Sequence, residues 1–283
     1  MDWYREVYRD RSSYGLRVRE RLFDGRSDLQ RVEVIDTLAW GRVLVIDGIF
    51  MTSERDEHYY HELLVHPALV SAPSVARVLI IGGGDGGTAR EVLRHPDVDR
   101  CLLVEIDPLV VETSRRFLPT IGTAWDDRRL EVRIGDGVAH VHETDERYDV
   151  VILDGTDPVG PGEGLFDERF YRGVARVLAP GGVLAAQTES PILTEELFFD
   201  IQATLRRVFR RVHPCFGPVP LYSAGLWSYT LAGAEVDPAR IDTKRLAAIE
   251  PSCKHYSAEI HRAAFAMPAA VRRRLPVPDL PTR

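Results

Sequence analysis

Between residues 77 and 187, short apolar runs (RVLIIG, CLLVEID, LEVRIGD, YDVVILD and GVLAAQ) alternate with stretches of helical spacing. A run apolar at successive positions needs cover on both faces, and a helix after each run supplies it. The pattern predicts βαβ units, a parallel sheet and a doubly wound α/β, Rossmann-like fold. In such sheets a ligand sits beyond the carboxyl ends of the strands, near the point where strand order reverses. Those ends carry Gly82, Glu105, Asp136, Asp154 and Gln187.

A different period precedes this region. RVEVIDT and GRVLVID alternate apolar with polar residues and break at Gly41 and at Asp47 and Gly48, as antiparallel hairpins do. We read residues 1–54 as a small N-terminal β-strand domain and 55–283 as the catalytic domain with a helical C-terminal tail. RDEHYYHELLVHPALVS, residues 55–71, has helical spacing and is closed by Pro73. It leads from one domain into the other.

Charge narrows the partners. With 36 basic and 43 acidic residues the net charge is −7, which disfavours nucleic acid and fits a cationic small molecule. No segment approaches the roughly 18 apolar residues of a membrane span. MDWYREVYRD lacks the apolar centre of a signal peptide, so a soluble cytoplasmic protein with no membrane partner is expected. Cys101, Cys215 and Cys253 are far apart, without metal or redox spacing, and read as reduced structural thiols.

VLIIGGGDGGTAREVL sets Gly82, Gly84 and Gly87 in G-x-G-x-x-G register between a strand and a helix. Glycines there allow a tight turn and close approach of a nucleotide, and Glu105, ending the next strand, is placed to accept from ribose hydroxyls. The spacing alone serves a dinucleotide enzyme equally well. Asp85 inside the loop separates the cases, because a carboxylate repels a pyrophosphate and favours a sulfonium or ammonium. Asp85 as a cap of the following helix is the simpler reading, and both roles are compatible.

YDVVILDGTDPVGPGEGLF ends a buried strand in Asp154, and Asp157 follows three residues later, before a Gly- and Pro-rich loop suited to a lid. The pair fits an alkylammonium that is held and deprotonated. A magnesium ion is the competing occupant.

Together these residues carry a resemblance. SDLQRVEV (27–34), RVLVIDG (42–48), TSERDEHYYHELLVH (52–66), LIIGGGDGGTAREVLRH (79–95), LVEID (103–107) and DVVILDGTDPVGP (149–161) come first. FYRGVARVLAPGG (170–182), AQTES (186–190) and PLYSAGLWSY (220–229) follow. In this order they resemble the spermidine synthases, or polyamine aminopropyltransferases, over nearly the whole chain.

The resemblance implies transfer of an aminopropyl group from decarboxylated S-adenosylmethionine to putrescine, giving spermidine and methylthioadenosine. It implies a donor acting as co-substrate, no resident cofactor or metal, and a homodimer or homotetramer. Donor contacts would fall on Gln30, Asp85, Glu105, Asp136, Gly137 and Pro161. Acceptor contacts would fall on Tyr60, His61, Asp85, Asp154, Asp157 and Tyr222, with Asp154 the proton acceptor and Gln187 supporting the floor. A buried structural role for His61, and plain packing for Tyr60 and Tyr222, are the alternatives. Met51 stands where the family usually has glutamine, which leaves open cadaverine, agmatine or spermidine as acceptor. A methyltransferase and a catalytically silent polyamine-binding protein remain the competing functions.

Overall fold

The structure, a computed structural model, describes residues 2–8, 10, 12–156 and 160–275; Asp157 and the side chains of Pro161 and Glu163 lie outside the described residues. Five strands make the first sheet in sequential order: β1 (Trp3–Tyr8), β2 (Ser12–Arg26), β3 (Arg31–Thr37), β4 (Gly41–Ile46) and β5 (Ile49–Ser53). All its pairings are antiparallel. β1 and the whole of β2 extend the sheet beyond the hairpins expected from RVEVIDT and GRVLVID. WYREVY is half exposed at the sheet edge and has no clean alternation to reveal it.

Helix α1 (Glu57–Ser71) links the two sheets and is buried along nearly its whole length. The second sheet begins with β6 (Arg77–Gly82), α2 (Gly87–Leu93), β7 (Arg100–Glu105), α3 (Pro108–Phe117), β8 (Leu130–Ile134), α4 (Gly137–Glu143) and β9 (Tyr148–Asp154). It continues through α5 (Glu168–Val177), β10 (Leu178–Gln187), α6 (Glu195–Val208), β11 (Arg211–Pro218) and β12 (Leu226–Gly233). Short helices α7 (Thr243–Ile249), α8 (Ala258–Ala264) and α9 (Ala269–Arg274) form the tail.

The seven strands lie in the order β11-β12-β10-β9-β6-β7-β8. From β10 to β8 neighbours are parallel, and β12 runs antiparallel to both β10 and β11. The doubly wound expectation holds for the parallel part, and one edge is mixed. Alternate residues of the central strands enter opposite cores, Val78, Ile80, Val150 and Ile152 on one face, Leu79, Ile81, Val151 and Leu153 on the other. This period of two over continuous apolar runs is why each run needs helices on both sides.

From β6 the chain moves outward to β7 and β8, then returns to place β9 on the other side of β6. Strand order therefore reverses between β6 and β9, where Gly82 pairs with Asp154. The first sheet packs across this edge, with Val32, Val34, Leu44 and Ile46 against Val110, Leu118 and Ile121. It forms one wall of the crevice.

Candidate active site

The turn after β6 is shaped by glycine. Gly82, Gly83 and Gly86 have φ of 81°, 73° and 81°, the left-handed region that glycine enters without steric cost. The G-x-G-x-x-G register picked out Gly82, Gly84 and Gly87, so the backbone requirement is shifted at two of the three. Gly84 and Gly87 are required by proximity instead. A Cβ at Gly84 would lie 2.8 Å from Glu105 Oε2, and one at Gly87 would overlap the His61 ring. At Gly82 a side chain would strike the Asp154 carbonyl, which accepts a hydrogen bond from the Gly83 amide at 2.9 Å.

One crevice at the switch point is lined by Gln30, Tyr60, His61, Asp85, Glu105, Asp136, Gly137, Asp154 and Tyr222, together with Met51. Nine sequence-predicted residues thus converge from seven different loops and elements. Asp157 and the Pro161 side chain lie outside the described residues. Gln187 lines an adjoining cavity that shares Met51, Tyr60, Gly155, Thr156 and Tyr222 with the first. Its amide donates to the Gly155 carbonyl at 3.2 Å and its oxygen accepts from Trp227 Nε1 at 3.2 Å.

At one end of the crevice Glu105 is 7 % exposed and accepts from the amides of Gly84 and Asp107, both at 3.1 Å. Burial outweighs those bonds and pushes its carboxyl up to about 7. Asp107 also caps α3 and accepts from Ser27 Oγ at 2.7 Å. Ser27 in turn accepts from the Gln30 amide at 3.2 Å, so this contact ties Gln30 of the first sheet to the second. Asp136 caps α4, accepting from the Val138 amide at 2.7 Å.

The other end is acidic. Asp85 Oδ1 accepts from the Gly87 amide at 2.8 Å while Oδ2 lies 3.2 Å from His61 Nε2, so this carboxylate both braces the turn and faces the crevice. Asp154 accepts from Tyr60 at 2.8 Å and from Thr88 Oγ1 at 2.6 Å. Burial, reinforced by Asp85, raises the Asp154 carboxyl above its ordinary range, against the pull of His61, Thr88 and Tyr60. The same burial, with Asp154 beside it, holds the Tyr60 phenol well above its usual value and therefore neutral. Tyr222 donates to the Met51 carbonyl at 2.9 Å.

His61 is 1 % exposed, with Nδ1 2.8 Å from Glu57 and Nε2 facing Asp85. Burial favours the neutral ring, but the two carboxylates prevail and raise its pKa well above the ordinary value. Ligand atoms of His61, Asp85 and Asp154 all lie within 4.8 Å of one another, close enough to surround a small cation. Both ring nitrogens of His61 already face carboxylates, which leaves Asp85 and Asp154 as the groups placed to hold a hydrogen-bonded cation.

Thr88, Glu57, Arg90, Glu6 and Glu189 belong to the site or its surroundings and were missed by the sequence reading. Thr88 had a signal, the first hydroxyl after the glycines, at the start of α2. Glu6 and Glu189 line the adjoining cavity. They reach it through sheet pairing and a left-handed residue at 189, which local sequence does not announce.

The reversed strand order and the acidic crevice against a glycine turn define a methyltransferase-like α/β enzyme with an added N-terminal sheet. Residues 57–245 match the spermine/spermidine synthase domain, and residues 2–54 match the spermidine synthase tetramerisation domain. Polyamine aminopropyltransferase of Thermoanaerobacter sp. (strain X514) is 40% identical over 270 residues, 95% of this chain and 97% of that one. The protein of that name from Bacillus subtilis (strain 168) is 38% identical over 269 residues, with the same 95% and 97% covered. A crystal structure of spermidine synthase in complex with the transition state analogue AdoDATO superposes with a TM-score of 0.93 at 36% identity, over 96% of this chain and 94% of the other. Spermidine synthase from Thermotoga maritima gives 0.92 at 36% identity, over 97% and 94%. The chain belongs to the spermidine synthase family of polyamine aminopropyltransferases and is a transferase.

Proposed function

We propose that the chain transfers the aminopropyl group of decarboxylated S-adenosylmethionine to putrescine, forming spermidine and methylthioadenosine. The observation that carries this reading is the pair of carboxylates, Asp85 and Asp154, flanking one point at the switch of strand order. Two anions beside a glycine turn suit a sulfonium nucleoside whose side chain ends in an ammonium, and an incoming amine.

In this reading Glu105 receives the ribose hydroxyls. Asp136 and Gly137, with Pro161, bound the adenine, and Gln30 lies toward the aminopropyl end. Asp85 holds the donor ammonium. Tyr60, His61, Asp157 and Tyr222 contact the acceptor. Putrescine arrives protonated, since alkylamines have pKa values near about 10. Asp154 takes one proton from the attacking nitrogen, which displaces sulfur in line at the adjacent methylene. The C–N bond forms, the C–S bond breaks, and its electron pair leaves on the neutral thioether. Holding nitrogen and carbon at about 3 to 3.5 Å makes the step effectively unimolecular and supplies much of the acceleration. The donor is consumed, so it is a co-substrate, and no metal takes part.

Ordinary S-adenosylmethionine would bring an extra carboxylate toward Asp85 and Asp154, and like charges exclude it. Met51 lies in both cavities, so the acceptor's path runs past an apolar wall and a chain of methylenes fits it. The tetramerisation description of the model matching residues 2–54 supports a homo-oligomer joined through the first sheet. Among the described residues no helix is long and apolar enough to cross a membrane, and we place the enzyme in the cytoplasm. Incubation with the decarboxylated donor and putrescine should release methylthioadenosine and spermidine in equal amounts. Release of S-adenosylhomocysteine from S-adenosylmethionine instead would identify a methyltransferase.

A further inference from the structure

Behind the crevice, a buried chain of charged side chains runs away from His61 between α1 and α2. Glu57 Oε2 accepts from both His61 Nδ1 and Arg90, whose second nitrogen donates to Glu91 Oε1 at 2.7 Å. Arg90 is further anchored by donation to the Ile121 carbonyl at 2.9 Å, and Glu91 meets His66 at 3.1 Å. Glu57 is 5 % and Arg90 8 % exposed, and neither is among the residues lining either cavity. A buried ionised carboxylate and a buried guanidinium are costly unless each serves a partner. Here the carboxylate serves two, one of them the ring that touches the reaction centre.

We propose that Glu57, held by Arg90, is a positioning residue that keeps His61 doubly protonated and thereby keeps Asp154 ready to accept the substrate proton. The groups facing His61 are Glu57 and Tyr60 from its own helix, Asp85 from the glycine turn and Asp154 from the end of β9, with Arg90 acting through Glu57. Asp85 and Asp154 repel one another's charge, and a cationic ring between them is the nearest compensation. Burial alone would raise Glu57, yet His61 and Arg90 bring its carboxyl down to about 2, so it stays an anion throughout the working range. Arg90 keeps that anion from needing a proton. If His61 lost its charge, Asp154 would face Asp85 uncompensated and would hold its own proton to higher pH, where it is no base.

The consequence for catalysis rests on the aminopropyl-transfer reading; the charge state of the ring does not, and the two are tested separately. In the wild-type protein, nitrogen-15 shifts of the His61 ring should report both nitrogens protonated from about pH 6 to about pH 9, a range in which an ordinary histidine becomes neutral. A neutral tautomer at pH 7 would overturn the proposal, whatever the enzyme transfers. Glu57→Gln keeps the side chain's shape and removes its charge. Its acid limb in kcat/KM should move about one pH unit upward, so that activity lost near neutrality returns as the pH rises. A loss of equal size at every pH would mean that Glu57 only supports the fold and would also overturn the proposal. Should Glu57→Gln fail to fold, the wild-type ring shifts still decide.

Discussion

Replacing Asp154 by asparagine removes the proposed base while keeping its volume. The wild-type carboxylate accepts from Tyr60 and Thr88 on separate oxygens. An amide has one oxygen, so one hydroxyl loses its acceptor, a cost of about 1–3 kcal/mol in stability. The catalytic cost is larger and separable. General-base removal lowers turnover by about 100-fold to 10,000-fold, or roughly 2.7–5.5 kcal/mol of barrier. Donor binding should change by less than about fivefold, or roughly 1 kcal/mol, because Glu105 and Asp85 are untouched. Steady-state release of methylthioadenosine measures the first quantity and calorimetry with methylthioadenosine the second. Since burial and Asp85 raise the Asp154 carboxyl, the wild-type rate should fall on acidification above the usual carboxylate range, and the variant should lack that limb. Turnover within about threefold of wild type would refute the assignment, since general-base catalysis is worth far more than that.

Other perturbations probe the rest of the crevice. Asp85→Asn removes the charge that repels a donor carboxylate and should cut the preference for decarboxylated over ordinary S-adenosylmethionine by about tenfold; the ratio of dissociation constants reads this directly. Under the proposed function Glu105, with its carboxyl at about 7, receives ribose hydroxyls best when ionised, so nucleoside affinity should weaken as pH falls through about 7. Calorimetry with methylthioadenosine between about pH 5.5 and about pH 8 tests this, and Glu105→Gln should flatten the dependence. Gly82→Ala forces a side chain into a left-handed residue and against the Asp154 carbonyl, and should lower Tm by about 5 °C or more, from at least about 2 kcal/mol of strain.

How far the sequence leads depends on the range of the interaction. Apolar runs such as VLII and DVVILD specify buried strands because burial on both faces acts on consecutive residues, so the parallel sheet is legible. The antiparallel entry of β12 is not, since strand direction at the edge follows from how the connection after β11 turns back. Glu105, Asp154 and Asp136 were legible as carboxylates ending strands, and the fold puts strand ends together. His61 and Tyr60 came from the family resemblance, because their helix reaches the crevice only through packing between the two sheets. Glu57 and Arg90 were missed for a related reason. On sequence they are two more charges in RDEHYYHE and TAREVL, ordinarily a solvated face, and only the docking of α1 on α2 buries them together.

Aminopropyl transfer requires the amine to attack the donor methylene next to sulfur, whereas methyl transfer requires attack on the S-methyl carbon. Supplying the decarboxylated donor with carbon-13 at that methylene in one sample and at the S-methyl carbon in another, with putrescine as acceptor, separates the two. Mass spectrometry should find the methylene label in spermidine and the methyl label wholly in methylthioadenosine. Methyl label in the amine product, or no labelled amine at all, would contradict the account.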